Sequence, residues 1–226
     1  MKFSERTLEV LDNFSKINPG IVVKPGKVLR TISTNKAILA EAEVKETFDR
    51  EFGIYDLGKL LGVLSLHDDP ELAFNESFVE LIGLKGRSKT RVRYTETKLI
   101  PSPPDKKINI PGFDVEFKLS VADFSWIDKM GSVLKCPYVV ISSKEGKLVL
   151  SAADVKGEVV DDSDLDLGVD VEDTFKFVLK VENLKLIEGD YDVSISAKGI
   201  ARFKSPDVTY HVAIEQGSSS FGDKAA

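Results

Sequence analysis

The feature that most restricts how this chain can fold is an order of local patterns that occurs twice, once on each side of a proline-rich stretch. In the first half Leu8, Leu11, Phe14 and Ile17 recur every three residues, which predicts one apolar face of a helix stopped by Asn18-Pro19-Gly20. In the second half Phe124, Ile127, Met130 and Leu134 recur in the same way, again ahead of a proline and a strand pattern. After each helix the sequence predicts a β-hairpin, with turns at Lys24-Pro25-Gly26-Lys27 and Lys144-Glu145-Gly146-Lys147. A shorter second helix is expected in each half: Leu57, Leu60, Leu61 and Leu64 behind the cap Asp56, and Val181 to Leu186 ahead of Gly189. Strand patterns such as Thr90-Arg91-Val92-Arg93-Tyr94 and Phe175-Lys176-Phe177-Val178-Leu179 enclose both. The expectation is an α+β chain of two similar domains, each about 100 residues with helices set on a mostly antiparallel sheet.

Between the halves, Pro101, Pro103, Pro104 and Pro111 deny backbone donors to any sheet and favour extended chain. The expected boundaries are therefore a domain over 1–100, a linker over 101–112, a domain over 113–217 and a flexible tail over 218–226.

Charge limits what such a chain can touch. With 37 acidic against 31 basic residues the net charge is -6, so the chain as a whole is repelled by phosphate, and nucleic-acid contact has to be local or topological. The most basic stretch is Lys85-Gly86-Arg87-Ser88-Lys89-Thr90-Arg91-Val92-Arg93, and its natural counterpart is the acidic run Glu158-Val159-Val160-Asp161-Asp162-Ser163-Asp164-Leu165-Asp166. That acidic run lacks the glycine and closing glutamate of a calcium loop and reads as a solvated or electrostatic segment.

Chemistry finds no foothold. His67 and His211 have no cysteine partners, so no metal site is expected. Gly26-Lys27, Gly58-Lys59 and Gly146-Lys147 do not complete a phosphate-binding loop, and no Gly-x-Ser-x-Gly elbow is present. The lone Cys136, ahead of Pro137-Tyr138-Val139-Val140, reads as an inert buried thiol. No catalytic residue, cofactor or metal is expected, and neither a signal-type segment nor a membrane-length apolar run is seen, which points to a reducing cytoplasm.

In their order along the chain these residues resemble the sliding clamps of T-even bacteriophages. The likeness is carried by Leu11-Asp12-Asn13-Phe14-Ser15-Lys16-Ile17-Asn18-Pro19-Gly20-Ile21 and by Ile54-Tyr55-Asp56-Leu57 with Leu61-Gly62-Val63-Leu64-Ser65-Leu66. In the second half Lys144-Glu145-Gly146-Lys147, Asp173-Thr174-Phe175-Lys176-Phe177, Gly189-Asp190-Tyr191 and Lys198-Gly199 carry it. The likeness is weakest from Asn75 to Asp105. What it implies is the DNA-clamp fold in a ring-shaped homotrimer, with helices lining the hole and antiparallel sheets outside. It further implies a processivity factor that encircles duplex DNA without reading sequence, holds the replicative DNA polymerase and is opened by an ATP-dependent loader in the host cytoplasm. Under that resemblance the expected DNA-facing residues are Lys2, Arg6, Lys16, Lys59, Lys129, Lys135, Lys180 and Lys185. The subunit boundary is expected to pair the edge Thr90 to Lys98 with an edge near Val155 to Val160, using Arg91, Arg93, Tyr94, Val155, Glu158 and Asp161. A partner-peptide pocket is expected at Ile108, Ile110, Pro111, Val212 and Ile214. Two other classes remain open on the sequence alone: a phage structural or assembly protein built from duplicated β-rich domains, and an enzyme, which the missing catalytic set disfavours.

Overall fold

The computed structural model describes residues 1–106, 108, 110–157 and 161–222. The chain divides into two compact units, Met1–Lys106 and Lys107–Ala226.

The first unit runs α1 (Glu5–Ile17), β1 (Ile21–Val23), β2 (Gly26–Ile32), β3 (Ile38–Phe48), β4 (Phe52–Ile54), α2 (Leu57–Ser65), β5 (Glu71–Phe74), β6 (Phe78–Gly83) and β7 (Ser88–Arg93). Helix α1 starts because the Ser4 hydroxyl accepts the Thr7 N–H at 3.3 Å, and it ends where Asn18 leaves helical geometry. Its buried stripe is Val10, Leu11, Phe14 and Ile17, whereas Leu8 stays half-exposed. Burying a side chain such as Phe14 contributes about 1.5–3 kcal/mol. Helix α2 packs against α1 and is capped by Asp56, whose carboxylate accepts the Lys59 N–H at 2.8 Å.

One charged group ties α1 to the sheet. Glu46 on β3 is buried and accepts from the Ser4 N–H and from the Thr7 hydroxyl, which is itself fully buried. Burial opposes its ionisation, but those hydrogen bonds outweigh it and hold the carboxyl below its ordinary range. The negative charge also sits at the positive end of α1.

The hairpin expected at Lys24 to Lys27 does not form: β1 pairs with β4 and β2 with β3. Pro25 has no N–H to give a ladder, and Gly26 at φ +119° turns the chain from one pairing to the other. The strand order β5-β6-β7 completes this unit, leaving β7 at a sheet edge.

The second unit runs β8 (Val115–Leu119), α3 (Val121–Leu134), β9 (Tyr138–Lys144), β10 (Lys147–Ala153), β11 (Ser163–Asp170), β12 (Phe175–Lys180), β13 (Tyr191–Ser196), β14 (Ile200–Lys204), β15 (Val208–Ala213) and β16 (Ser220–Phe221). One sheet has the order β11-β10-β9-β12-β16, and β8, β13, β14 and β15 pair in that order. Here the hairpin turn is real: Lys144 faces Lys147 across Glu145 and Gly146, both left-handed as a type I′ turn demands. Ser120 caps α3 through the Asp123 N–H at 3.1 Å, as Ser4 caps α1.

The second helix expected at Val181 to Leu186 is replaced by a single 3-10 turn, Val181–Asn183. Six residues led by a β-branched valine with no side-chain cap cannot offset the cost of nucleating a helix. Consequently α3 has no second α-helix among the described residues of its own unit: only Ile127 and Gly131 are buried, while Phe124, Met130 and Leu134 are half-buried and Trp126 and Val133 are exposed at 39% and 75%. The tail expected to be flexible from 218 is ordered as far as Gly222, because Ser220 and Phe221 add to the edge of β12. Residues 223–226 lie outside the described residues.

The Glu46 anchor yields a test. Glu46→Ala should destabilise the chain by about 2–3 kcal/mol in urea unfolding at pH 7, since two hydrogen bonds to a charged acceptor are lost and the Thr7 hydroxyl is stranded. A depressed carboxyl pKa stabilises above the unfolded value of about 4.3. The gap between wild type and variant should therefore shrink as the pH is lowered through 4 towards 3.

Candidate functional site

Three surfaces follow from the sequence: a set of cations on helices, two sheet edges of opposite charge, and an apolar pocket.

Four of the eight expected cations are in ion pairs. On α1, Arg6 pairs with Glu9 at 2.7 Å and Lys16 with Asp12 at 2.8 Å, and Glu5, Glu9 and Asp12 share the solvent face. Lys2 pairs with Asp69. Lys180 ends β12 and meets Glu215 at 3.3 Å, and Lys185 is exposed in the segment after the 3-10 turn rather than on a helix. Lys59 on α2, Lys129 on α3 and Lys135, the left-handed residue that ends α3, are exposed and have no ion pair among the described residues. The solvent face of α1 is thus close to neutral, and the cations open to a phosphate lie on the other two helices.

The two edges are strands of the sheets. The first is β7, Ser88–Arg93, rather than Thr90 to Lys98; beyond it Thr97–Leu99 forms a 3-10 turn. Lys89, Arg91 and Arg93 point outward and Val92 inward. Arg91 is also held within its own sheet, by Glu80 at 2.9 Å and over the Phe78 ring at 5.3 Å. Tyr94 is half-buried: its ring stacks on Phe52 at 4.8 Å, and burial pushes its hydroxyl up to about 12. The hydroxyl has no hydrogen-bond partner among the described residues.

The second edge is β11, Ser163–Asp170; of the segment expected near Val155 to Val160, residues 158–160 lie outside the described residues. Val155 follows β10 in a turn and packs against Tyr138, Val140 and Val178. Glu158 lies outside the described residues. Asp161 is exposed just ahead of β11, and its carbonyl accepts from the Cys136 thiol at 3.6 Å. Burial and the neighbouring carboxylates of Asp154, Asp161 and Asp162 push that thiol up, which keeps it protonated at neutral pH. Along β11, Asp164 pairs with Lys144 at 2.6 Å and Asp170 with Lys147, while Asp166 is exposed and accepts the Gly168 N–H. Asp164, Asp166 and Lys89 belong to the charged runs seen in the sequence but not to the residues expected at the boundary; Asp164-Leu165-Asp166-Leu167 alternates with the period of a strand.

Of the five residues expected to line a pocket, two are buried and three are not. Val212 is fully buried and Ile214 nearly so, both inside the second unit's core, where β15 faces β14. Ile108 and Ile110 are half-buried and Pro111 is exposed.

With this geometry in hand, comparison with known proteins is informative. Residues 2–91 match the family described as DNA polymerase processivity factor, and residues 116–216 the family described as gp45 sliding clamp, C terminal. The sliding clamp of Vibrio phage KVP40 is 34% identical over 221 residues, covering 95% of this chain and 99% of that one. The sliding clamp of Enterobacteria phage T4 is 31% identical, covering 97% and 99%. Among solved structures, PCNA of A. fulgidus, bound to the C-terminal region of FEN-1, overlays with a TM-score of 0.71 at 13% identity, covering 95% and 96% of the two chains. PCNA of Thermococcus kodakaraensis overlays at 0.68 and 15% identity, covering 94% and 98%. At such identities the overlays speak for the fold alone.

The packing of Tyr94 can be checked directly. Tyr94→Phe removes a buried hydroxyl without a partner and should leave stability unchanged or raise it by up to about 1 kcal/mol in chemical unfolding. Tyr94→Ala, which also removes the ring from Phe52, should cost about 3 kcal/mol or more.

Proposed function

Because the chain belongs to the sliding-clamp family of T4-type phages, we propose that it works as a head-to-tail homotrimer closed around duplex DNA. It is a DNA sliding clamp, a processivity factor and not an enzyme. The reading as a phage assembly protein is set aside by that membership.

One observation carries the proposed closure: the chain owns two sheet edges, β7 and β11, whose outward charges are basic on one and acidic on the other. An edge cannot satisfy its own backbone, and like charge along each edge discourages pairing with its own kind. Pairing β7 of one copy with β11 of the next is heterologous, so it closes a ring when the rotation per copy fits, and three copies of two units give six similar units around the hole. Exposed ion pairs contribute only about 0–1 kcal/mol each, so backbone pairing and apolar contact supply the closure energy while charge selects the partner and sets salt sensitivity.

In this ring the helices face the duplex and the sheets form the wall. Lys59, Lys129 and Lys135 supply sequence-independent attraction to phosphate, and the chain's net charge of -6 keeps that attraction weak enough for sliding. The replicative polymerase is the tethered partner, an ATP-driven loader opens the ring, and the work takes place in the host cytoplasm. Half-buried Ile108 and Ile110 with exposed Pro111 remain the apolar part of a partner-peptide site, without Val212 and Ile214. No helix among the described residues is long and apolar enough to cross a membrane.

Two tests follow. Reversing Lys89 and Arg93 to Glu should shift native mass from trimer towards monomer, and adding Asp161→Lys and Asp166→Lys in the same chain should restore part of the trimer. A trimer that survives the first pair unchanged would sink the β7–β11 assignment. Separately, the triple reversal of Lys59, Lys129 and Lys135 to Glu should leave trimer mass and stability within about 0.5 kcal/mol of wild type. It should reduce the product length made per polymerase binding event by about tenfold at moderate salt. Unchanged product length would remove these lysines from the lining.

A further inference from the structure

The sheet β11-β10-β9-β12-β16 has a second edge with a different character from the acidic one. Strand β12 reads Phe-Lys-Phe-Val-Leu-Lys, with Phe175, Phe177, Val178 and Leu179 all buried. A segment with such strand propensity is a template for backbone pairing when its edge is bare, its charge being confined to Lys176 and Lys180. In this chain the edge is covered by the chain's own residues 215–222: the Glu215 N–H donates to the Val178 carbonyl at 2.8 Å, and beyond it the strand ladder is short. Strand β16 contributes two residue pairs, Phe175 with Phe221 and Lys176 with Ser220. Around them the Gly222 N–H donates to the Thr174 carbonyl at 2.9 Å, and the Val178 N–H donates to the Ser219 hydroxyl at 2.9 Å instead of to a backbone carbonyl. The Phe221 ring lies nearly parallel to Phe177, with centroids 6.3 Å apart, and Phe177 in turn stacks on Phe175 at 5.6 Å. Phe221 stays half-buried, and the approach to it, Gln216-Gly217-Ser218-Ser219, is held by two side chains: the Gln216 amide donates to the Lys198 carbonyl at 3.1 Å and the Ser219 hydroxyl to the Glu215 carbonyl at 2.9 Å.

We propose that the β12 edge with its Phe175–Phe177 shelf is a strand-addition site for an extended peptide that carries an aromatic residue after small polar ones, and that residues 219–222 occupy it as a displaceable internal ligand. The seated segment defines the occupant: small residues let the backbone approach the edge, and one ring settles on the shelf. Main-chain bonds supply affinity in such a mode and the ring supplies selection. A tethered ligand acts at an effective concentration in the millimolar range, so a free peptide binds the intact chain only after displacing it. The tail thus sets a threshold that a partner strand must exceed. This site is separate from the β7 and β11 edges and does not depend on ring closure.

The test uses the full chain and a fluorescein-labelled peptide, Gly-Ser-Ser-Ser-Phe-Gly, copying residues 217–222. Anisotropy titrations are run against wild type and against Phe221→Ala, with hydrogen exchange at the Val178 amide as the site readout. The expected result is binding to Phe221→Ala at least about tenfold tighter than to wild type, the tether's advantage having been removed. The Val178 amide should exchange faster in the variant and slow again when peptide is added, and a peptide with Ala in place of Phe should do neither. If Phe221→Ala fails to fold, Ser219→Ala, which removes only the hydroxyl acceptor, should give the same ordering with about a threefold separation. Equal binding to wild type and variant, or no binding to either, overturns the proposal. A Phe221→Ala chain that gains mass by pairing with itself also overturns it, since the tail would then guard against a second copy and not admit a peptide.

Discussion

A strand at the rim of a sheet carries N–H and C=O groups that its own sheet cannot satisfy, and much of this chain's organisation is a response to that fact. At β7 the response is cationic, with Lys89, Arg91 and Arg93 outward; at β11 it is anionic, with Asp164, Asp166 and Asp170 outward. At β12 it is a covering strand from the same chain. These three edges are handled in three ways.

Charge is placed with the same economy. Glu46 is ionised under the protein surface because the start of α1 offers it an amide and a hydroxyl, so one carboxylate both caps a helix and fastens it to β3. Arg6 and Lys16 on the same helix are matched by Glu9 and Asp12, which leaves little net field along it. A protein that must stay on DNA by enclosure rather than by grip gains from that arrangement, because each additional phosphate contact would slow its movement and steepen its response to salt.

Much of this architecture was legible from residues. The spacing of Leu11, Phe14 and Ile17, the Asp56 cap and the Lys144–Lys147 turn each fixed an element by local chemistry. The failures have physical causes. Val181 to Leu186 has helical spacing but no cap and too few residues, and Lys24 to Lys27 has turn composition but a proline where a ladder needs a donor. In the acidic run, the alternation through Asp164 and Leu167 marks the strand that forms the sheet edge. Surface roles were the hardest to read: a lysine's number says nothing of whether an aspartate stands beside it, and neither Val212 nor Tyr94 reveals its burial without the packed core.

The open flank of α3 has an experimental consequence. The chain has one tryptophan, Trp126, and it stands at 39% exposure on the only α-helix among the described residues of its unit. Indole emission therefore reports on the second unit's helix, while the first unit is spectroscopically silent in that channel. An unfolding curve followed by tryptophan fluorescence traces one unit, and its coincidence with the far-ultraviolet dichroism of the whole chain becomes a direct measure of whether the two units melt together.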